Sequence, residues 1–115
     1  MDDLAQLHCS PVRKDTAMLT EQEIKKLNNQ LTDWLMFQKE GELRLEKTFK
    51  FPDFDQAMVF TNRLAHEAAT EDHHPAILTE WGKVTVTWWT HVIKGLHLND
   101  FIMAAKTDQI YTIEK

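Results

Sequence analysis

Cysteine, tyrosine, glycine and proline are scarce in this 115-residue chain, with one, one, three and three copies respectively. A lone thiol, Cys9, rules out an internal disulfide framework and suits a reducing compartment. With so few glycines and prolines, each one marks a turn, and no repeat or low-complexity segment intervenes. Long apolar runs are also missing. The opening residues, Met1 to Lys14, include Asp2 and Asp3 and hold nothing like the apolar stretch of a signal peptide. No segment reaches the length needed to cross a bilayer, so neither export nor membrane anchoring is expected and the cytoplasm is the expected location. Basic charge is in deficit: 13 Lys and Arg against 18 Asp and Glu leave a formal charge of −5. Direct nucleic-acid binding, which draws its affinity from clustered cations, is therefore not expected.

What is present is ordinary globular material. Hydrophobic residues at 43% and aromatic residues at 10% suffice for a packed core, and the length suits one domain. Residues 1–19 lack periodicity and contain Ser10-Pro11, so they read as a tail or loosely docked arm ahead of a single domain over 20–115. Thr20 with Glu23 forms a capping-box pattern, and Ile24, Leu27, Leu31 and Leu35 follow at helical spacing, predicting a helix over about 21–32. Trp34 to Phe37 and Leu43 to Phe51 flank Glu40-Gly41-Glu42 and predict a hairpin with one wet face. Lys47 interrupts its apolar row, as at a strand edge or where a long stem can reach solvent.

After Pro52 and the N-cap candidate Asp53, Phe54, Ala57, Met58, Thr61, Leu64, Ala65 and Ala68 mark a helix face ending near Thr70. Ala76 to Trp81 and Val84 to His91 then predict a second hairpin turning about Gly82. Gly95 and Asn99 precede a last helix carrying Phe101, Ile102 and Ala105 toward Tyr111. The order αββαββα implies an α+β fold: two layers, with a four-stranded antiparallel sheet and the helices packed on one face.

That hairpin gathers histidines. With Gly82 at its apex, His73 at the entrance of one strand faces His91 at the exit of its partner, and His74 lies beside them. Val84, Val86 and Trp88 point to the core, which leaves Trp89 and His91 on the opposite face. Pro75 biases His74 toward extended backbone and so fixes how the pair projects. Histidine exchanges protons near neutrality, and Glu71, Asp72 or Asp100 could hold a ring in one tautomer. Three histidines with a carboxylate also match the donors of zinc or iron, and on the residues alone the two readings rank equally.

The segment Asp72-His73-His74-Pro75, the aromatic Trp81, Lys83-Val84-Thr85-Val86-Thr87, Thr90-His91, Gly95-Leu96 and Asp100 together resemble the pterin-4a-carbinolamine dehydratases, also described as dimerisation cofactors of a homeodomain transcription factor. The resemblance extends from Thr20 to about Tyr111. It implies dehydration of a 4a-hydroxytetrahydropterin to quinonoid dihydropterin and water, in support of cofactor recycling for an aromatic amino acid hydroxylase. It further implies catalytic roles for His73, His74 and His91, and substrate-binding or supporting roles for Asp72, Asp100, Trp34, Trp81, Thr90 and Pro75. No metal and no cofactor are expected, the pterin being the substrate, and a homodimer or homotetramer is implied. A non-enzymatic dimerisation or protein-stabilising module on the same fold is the alternative. The chain departs from the family at Ala69, where an acidic residue stands four positions before the first histidine; Glu67 and Glu71 lie nearby.

Other residues carry plainer expectations. Trp88 is read as core and Trp89 as an oligomer contact; Met18, Met36, Met58 and Met103 as packing; His8, His66 and His97 as solvated side chains. Asp100, at the start of the last helix, would also serve the unpaired N–H groups there.

Overall fold

The computed structural model describes residues 3–114. Its elements are α1 (Glu21–Asn28), β1 (Leu35–Lys39), β2 (Glu42–Lys50), α2 (Phe54–Glu71), β3 (Ala76–Glu80), β4 (Lys83–Trp88) and α3 (Leu98–Glu114), with short 3-10 turns at Leu4–Gln6 and His91–Ile93. The strands form one antiparallel sheet in the order β1-β2-β4-β3, and α2 and α3 pack against it. The expected α+β architecture is the one found.

Thr20 and Glu23 make both bonds of the capping box, with Thr20 Oγ1 accepting from Glu23 N at 3.2 Å and Glu23 Oε1 accepting from Thr20 N at 2.8 Å. α1 stops earlier than its pattern predicts, because Gln30 N and Leu31 N bond back to Leu27 O and Asn28 O in tighter turns. In the first hairpin Lys39 pairs with Glu42, leaving Glu40 and Gly41 as a two-residue turn, both at positive φ. Lys47 sits on a central strand, not an edge. Its ammonium reaches Asp108 Oδ1 at 2.7 Å and Thr32 O at 3.0 Å.

α2 buries Ala57, Phe60, Leu64 and Ala68 on the sheet, where Leu45, Phe49, Val84, Val86 and Trp88 complete the core. The buried face of this helix is slightly rotated from the predicted one: Phe54 stays 45% exposed while Phe60 is fully buried. α3 buries six successive residues, Asn99 to Ala104. A helix covered all round needs a neighbour on its outer side. That neighbour is the 3-10 turn Leu4–Gln6, which buries Leu4 and Ala5 against α3.

The second hairpin turns on Trp81-Gly82, with Glu80 paired to Lys83, so its register differs by one residue from a turn centred on Gly82. β4 also ends at Trp88, short of His91. Beyond it, Thr90 and Gly95 bond reciprocally at 2.9 and 3.3 Å around Lys94 in left-handed geometry, which turns the chain back toward α3. His73 and His91 therefore flank the strands rather than occupying them.

Candidate active site

α2 ends in a Schellman motif: His73 N bonds Ala68 O at 3.1 Å and Asp72 N bonds Ala69 O at 3.3 Å, with Asp72 left-handed at φ 53. Aspartate tolerates this conformation better than most residues, and the reversal delivers His73 directly beneath the sheet end. There its ring stacks on Trp88, 5.8 Å between centroids and 9° between planes, and His73 Nε2 meets Asp100 Oδ1 at 2.7 Å. Asp100 is fully buried. Its Oδ2 accepts from Thr90 Oγ1 at 2.7 Å and from His97 N at 2.9 Å. One carboxylate thus meets the ring of His73 and closes the N-terminus of α3.

His97 is not simply solvated. Half-buried at the start of α3, it accepts the Asn99 N–H on Nδ1 at 3.0 Å. Burial above all, helped by the neighbouring His73, lowers its pKa below 6.5 against the opposing Asp100 charge and a smaller upward pull from Asn99.

On the other side of the opening, His91 Nδ1 lies 3.2 Å from Glu42 Oε2. Glu42 is only 6% exposed and also lies 3.7 Å from Arg44 Nη2, while the Arg44 guanidinium covers the Trp89 ring at 4.0 Å. Nothing in the local sequence pattern singles out Glu42. Its signal lay in the β2–β4 register: Leu45 pairs with Trp88, and extending that ladder three residues sets Glu42 opposite His91.

Between these two groups lies a cavity of about 500 Å³, lined by His73, His74, His91, Asp72, Glu71, Trp89, Thr90, Val92 and Asn99, and closed along one side by Cys9 to Val12 of the N-terminal arm. The three histidines, Asp72 and Thr90 thus share one space, with Asp100 directly behind His73. Pro75 sits between His74 and β3 outside the lining. Trp34 and Trp81 do not join the cavity. Trp34 is buried in the core, edge-on to Phe49, with Nε1 donating to Asp108 Oδ2 at 2.9 Å. Trp81 is 71% exposed at the hairpin turn, one strand length or about 17 Å from the histidine end. Trp89 stands between the cavity and a groove on the open sheet face that includes Leu35 and Phe37.

Ala69 is exposed and does not line this space. Glu67 is turned toward Lys106 at 3.8 Å. Glu71 is spent on the arm, accepting from Cys9 N on Oε1 at 2.7 Å and meeting His8 Nδ1 on Oε2 at 2.7 Å. Burial alone would raise the Glu71 pKa, but these bonds and the Lys106 charge outweigh it and hold the carboxyl below its ordinary 4.5. Cys9 moves the other way: burial first, then the negative charges of Glu71 and Asp100, push its thiol up to about 12. Among the described residues, no three His, Cys, Asp or Glu side chains are grouped so as to hold a metal ion. Among the same described residues, no helix is long and apolar enough to cross a membrane.

Comparison with known proteins agrees with this architecture. A protein of Microcystis aeruginosa (strain NIES-843 / IAM M-2473), named "Putative pterin-4-alpha-carbinolamine dehydratase", is 51% identical over 111 residues, 96% of each chain. The crystal structure of a transcriptional coactivator/pterin dehydratase from Brucella melitensis superposes with a TM-score of 0.74 at 32% identity, covering 82% of this chain and 98% of that one. A pterin dehydratase-like protein described as a RuBisCO assembly factor in the alpha-carboxysome shares the fold, with a TM-score of 0.59 at 22% identity over 70% of this chain and 90% of its own. Residues 17–110 match the family model for pterin 4 alpha carbinolamine dehydratase, and with half of its relative's sequence in common this chain belongs to that family.

Proposed function

We propose that the chain dehydrates a 4a-hydroxytetrahydropterin to quinonoid dihydropterin and water by general acid/base catalysis, with His73, His74 and His91 as the catalytic side chains. The observation that carries this reading is the pair of histidine–carboxylate contacts, His73 to Asp100 and His91 to Glu42, on one cavity. Each carboxylate fixes the ring it touches in a single tautomer. With Nε2 committed to Asp100, His73 offers Nδ1; with Nδ1 committed to Glu42, His91 offers Nε2.

The reaction asks for no more than that. The C4a–O bond breaks as one imidazolium protonates the departing hydroxyl, the N5 lone pair forms the C4a=N5 bond, and a neutral imidazole takes the N5 proton. Water leaves, no redox change occurs, and neither metal nor cofactor enters the balance. The side chain of His73 is 10% exposed and that of His91 79%, so one partner works sheltered while the other exchanges protons with solvent. Their roles would interchange between the two faces of the carbinolamine.

The same reading places the protein in the cytoplasm, recycling the pterin of an aromatic amino acid hydroxylase. It also has the protein assembling as a homodimer or homotetramer through the open sheet face, where Leu35 is 63% and Leu78 58% exposed. The direct test follows the absorbance of freshly formed 4a-hydroxytetrahydropterin with wild type and with a His73→Ala, His91→Ala double variant. Faster decay with wild type alone supports the assignment. Equal rates with both proteins would remove the histidines from it and favour a binding module.

A further inference from the structure

Three side chains of the helical layer hold the N-terminal arm through its backbone. Glu71 accepts the Cys9 N–H at 2.7 Å. Asn99 takes Ser10 through both backbone polar groups, accepting from N at 2.9 Å and donating to O at 2.7 Å. The buried Lys106 donates to Ala5 O at 2.9 Å. Backbone capture of this kind fixes the path of the arm whatever its side chains are. The captured Cys9 and Ser10, with Pro11 and Val12 next to them, line one side of the cavity that holds the three histidines. It lies ahead of residues 17–110, the span shared with the family model.

The clamp is also next to the catalytic side chains along the chain. Glu71 comes two residues before His73, and Asn99 immediately before Asp100, so the segments that orient the His73–Asp100 pair are the ones that seat the arm. Both side chains are sheltered, Asn99 at 2% exposure and the Glu71 side chain at 6%. An arm needed only to cover α3 would be served by Leu4 and Ala5, which are buried there. The polar clamp at Cys9 and Ser10 does something else: it holds the chain against the cavity opening.

We infer that Cys9–Val12 is a positioning wall for the pterin, with arm docking and substrate binding coupled through Glu71 and Asn99. The inference rests on the dehydratase reading. Coupling is reciprocal, so a clamped arm tightens the pterin site and a bound pterin holds the arm down by the same factor.

Two variants loosen the clamp from opposite sides and leave His73, His74 and His91 in place: Ser10→Pro removes the N–H given to Asn99, and Glu71→Ala removes the acceptor of Cys9 N–H together with the His8 contact. For both, KM for 4a-hydroxytetrahydrobiopterin should rise about tenfold while kcat stays within about threefold of wild type. Alkylation of native Cys9 by iodoacetamide reads the arm directly. 7,8-Dihydrobiopterin, at concentrations that saturate its quenching of tryptophan fluorescence, should slow alkylation of wild type at least about fivefold and protect Glu71→Ala much less. An active wild type with unchanged KM in both variants, or with Cys9 unprotected at saturating pterin, overturns the wall and leaves the dehydratase reading standing. A wild type that binds dihydrobiopterin and protects Cys9 without accelerating decay keeps the wall and removes the dehydratase. A wild type that neither binds nor turns over pterin overturns both.

Discussion

The ring of His73 lies parallel to the indole of Trp88 at 5.8 Å and presents Nε2 to Asp100 at 2.7 Å. The stack sets the plane of the imidazole and the carboxylate sets its rotation within that plane, which leaves Nδ1 a single direction. Asp100 is itself fixed by Thr90 Oγ1 and His97 N. Trp88 is anchored by Nε1 donating to Thr107 Oγ1 at 3.1 Å. The ring of His73 is therefore held in one orientation by its neighbours, and on the proposed reading orientation achieved in advance is not subtracted from binding energy later.

Asp100→Asn tests that organisation. The amide keeps the shape but can accept on one atom only, so either His73 or the Thr90–His97 pair loses its acceptor in a buried place. Stability should fall by about 1–3 kcal/mol, the range for an unsatisfied buried group. The dehydration rate should fall about 10²-fold, as for loss of a group that fixes a catalytic tautomer. Thermal melting and the 4a-carbinolamine decay assay check the two parts. A variant that melts lower and still turns over at the wild-type rate would reduce Asp100 to a helix cap.

Glu42→Gln separates orientation from folding on the other histidine. The substituted side chain would still fill the site beside Arg44 but could present its NH₂ rather than an acceptor to His91 Nδ1. kcat should drop roughly tenfold or more with KM little changed, because the contact bears on proton transfer rather than on binding. A KM effect alone would mean that Glu42 shapes the cavity and does not orient His91.

How far these groups could be read from the sequence depended on distance along the chain. The capping box of Thr20 and Glu23 and the inward row Val84, Val86 and Trp88 are encoded within a few residues, and both are found as read, while the Glu40-Gly41-Glu42 turn is shorter by one residue because Glu42 belongs to β2 and pairs with Lys39. His73 and Asp100, 27 positions apart, could be put together through the family motif. Glu42 and the arm could not, since Glu42 meets His91 across 49 residues and Ser10 meets Asn99 across 89. Neither shows in local periodicity. The two tryptophans carry the opposite lesson: Trp34 and Trp81 looked like pocket aromatics, but an acceptor at Asp108 draws one into the core and a two-residue turn leaves the other in solvent.

Those positions give contrasting outcomes. Trp81→Ala should leave the decay rate of the carbinolamine within about twofold of wild type and melting nearly unchanged, as for a surface substitution. Trp34→Ala should cost about 3–5 kcal/mol by opening a cavity against Phe49, and should leave Lys47 and Asp108 to pair alone. Chemical denaturation and the decay assay distinguish them. Lost activity in a well-folded Trp81→Ala would bring that residue back to the site, most directly through a partner subunit.

Acid should weaken the molecule in two stages. His97 has its pKa lowered from 6.5, chiefly by burial, so the folded state binds fewer protons there than the unfolded chain. Stability from this group is complete above pH 6.5 and is lost as pH falls through the lower folded value. The structural event is plain, since a protonated Nδ1 cannot accept the Asn99 N–H. Glu71 follows the same sign one step lower. Its carboxylate, held below 4.5 by Cys9 N–H, His8 and Lys106 in excess of the opposing burial, stabilises the docked arm above pH 4.5 and releases it as pH drops through the folded value. Melting temperature should therefore decline between pH 7 and pH 5 in wild type. It should decline less in His97→Asn, where asparagine supplies a cap that does not titrate. Protease cleavage at the arm should appear only at lower pH, and Glu71→Gln should remove that second dependence. If His97→Asn melts with the wild-type slope across pH 7 to 5, the first acid-sensitive contact lies elsewhere than the cap of α3.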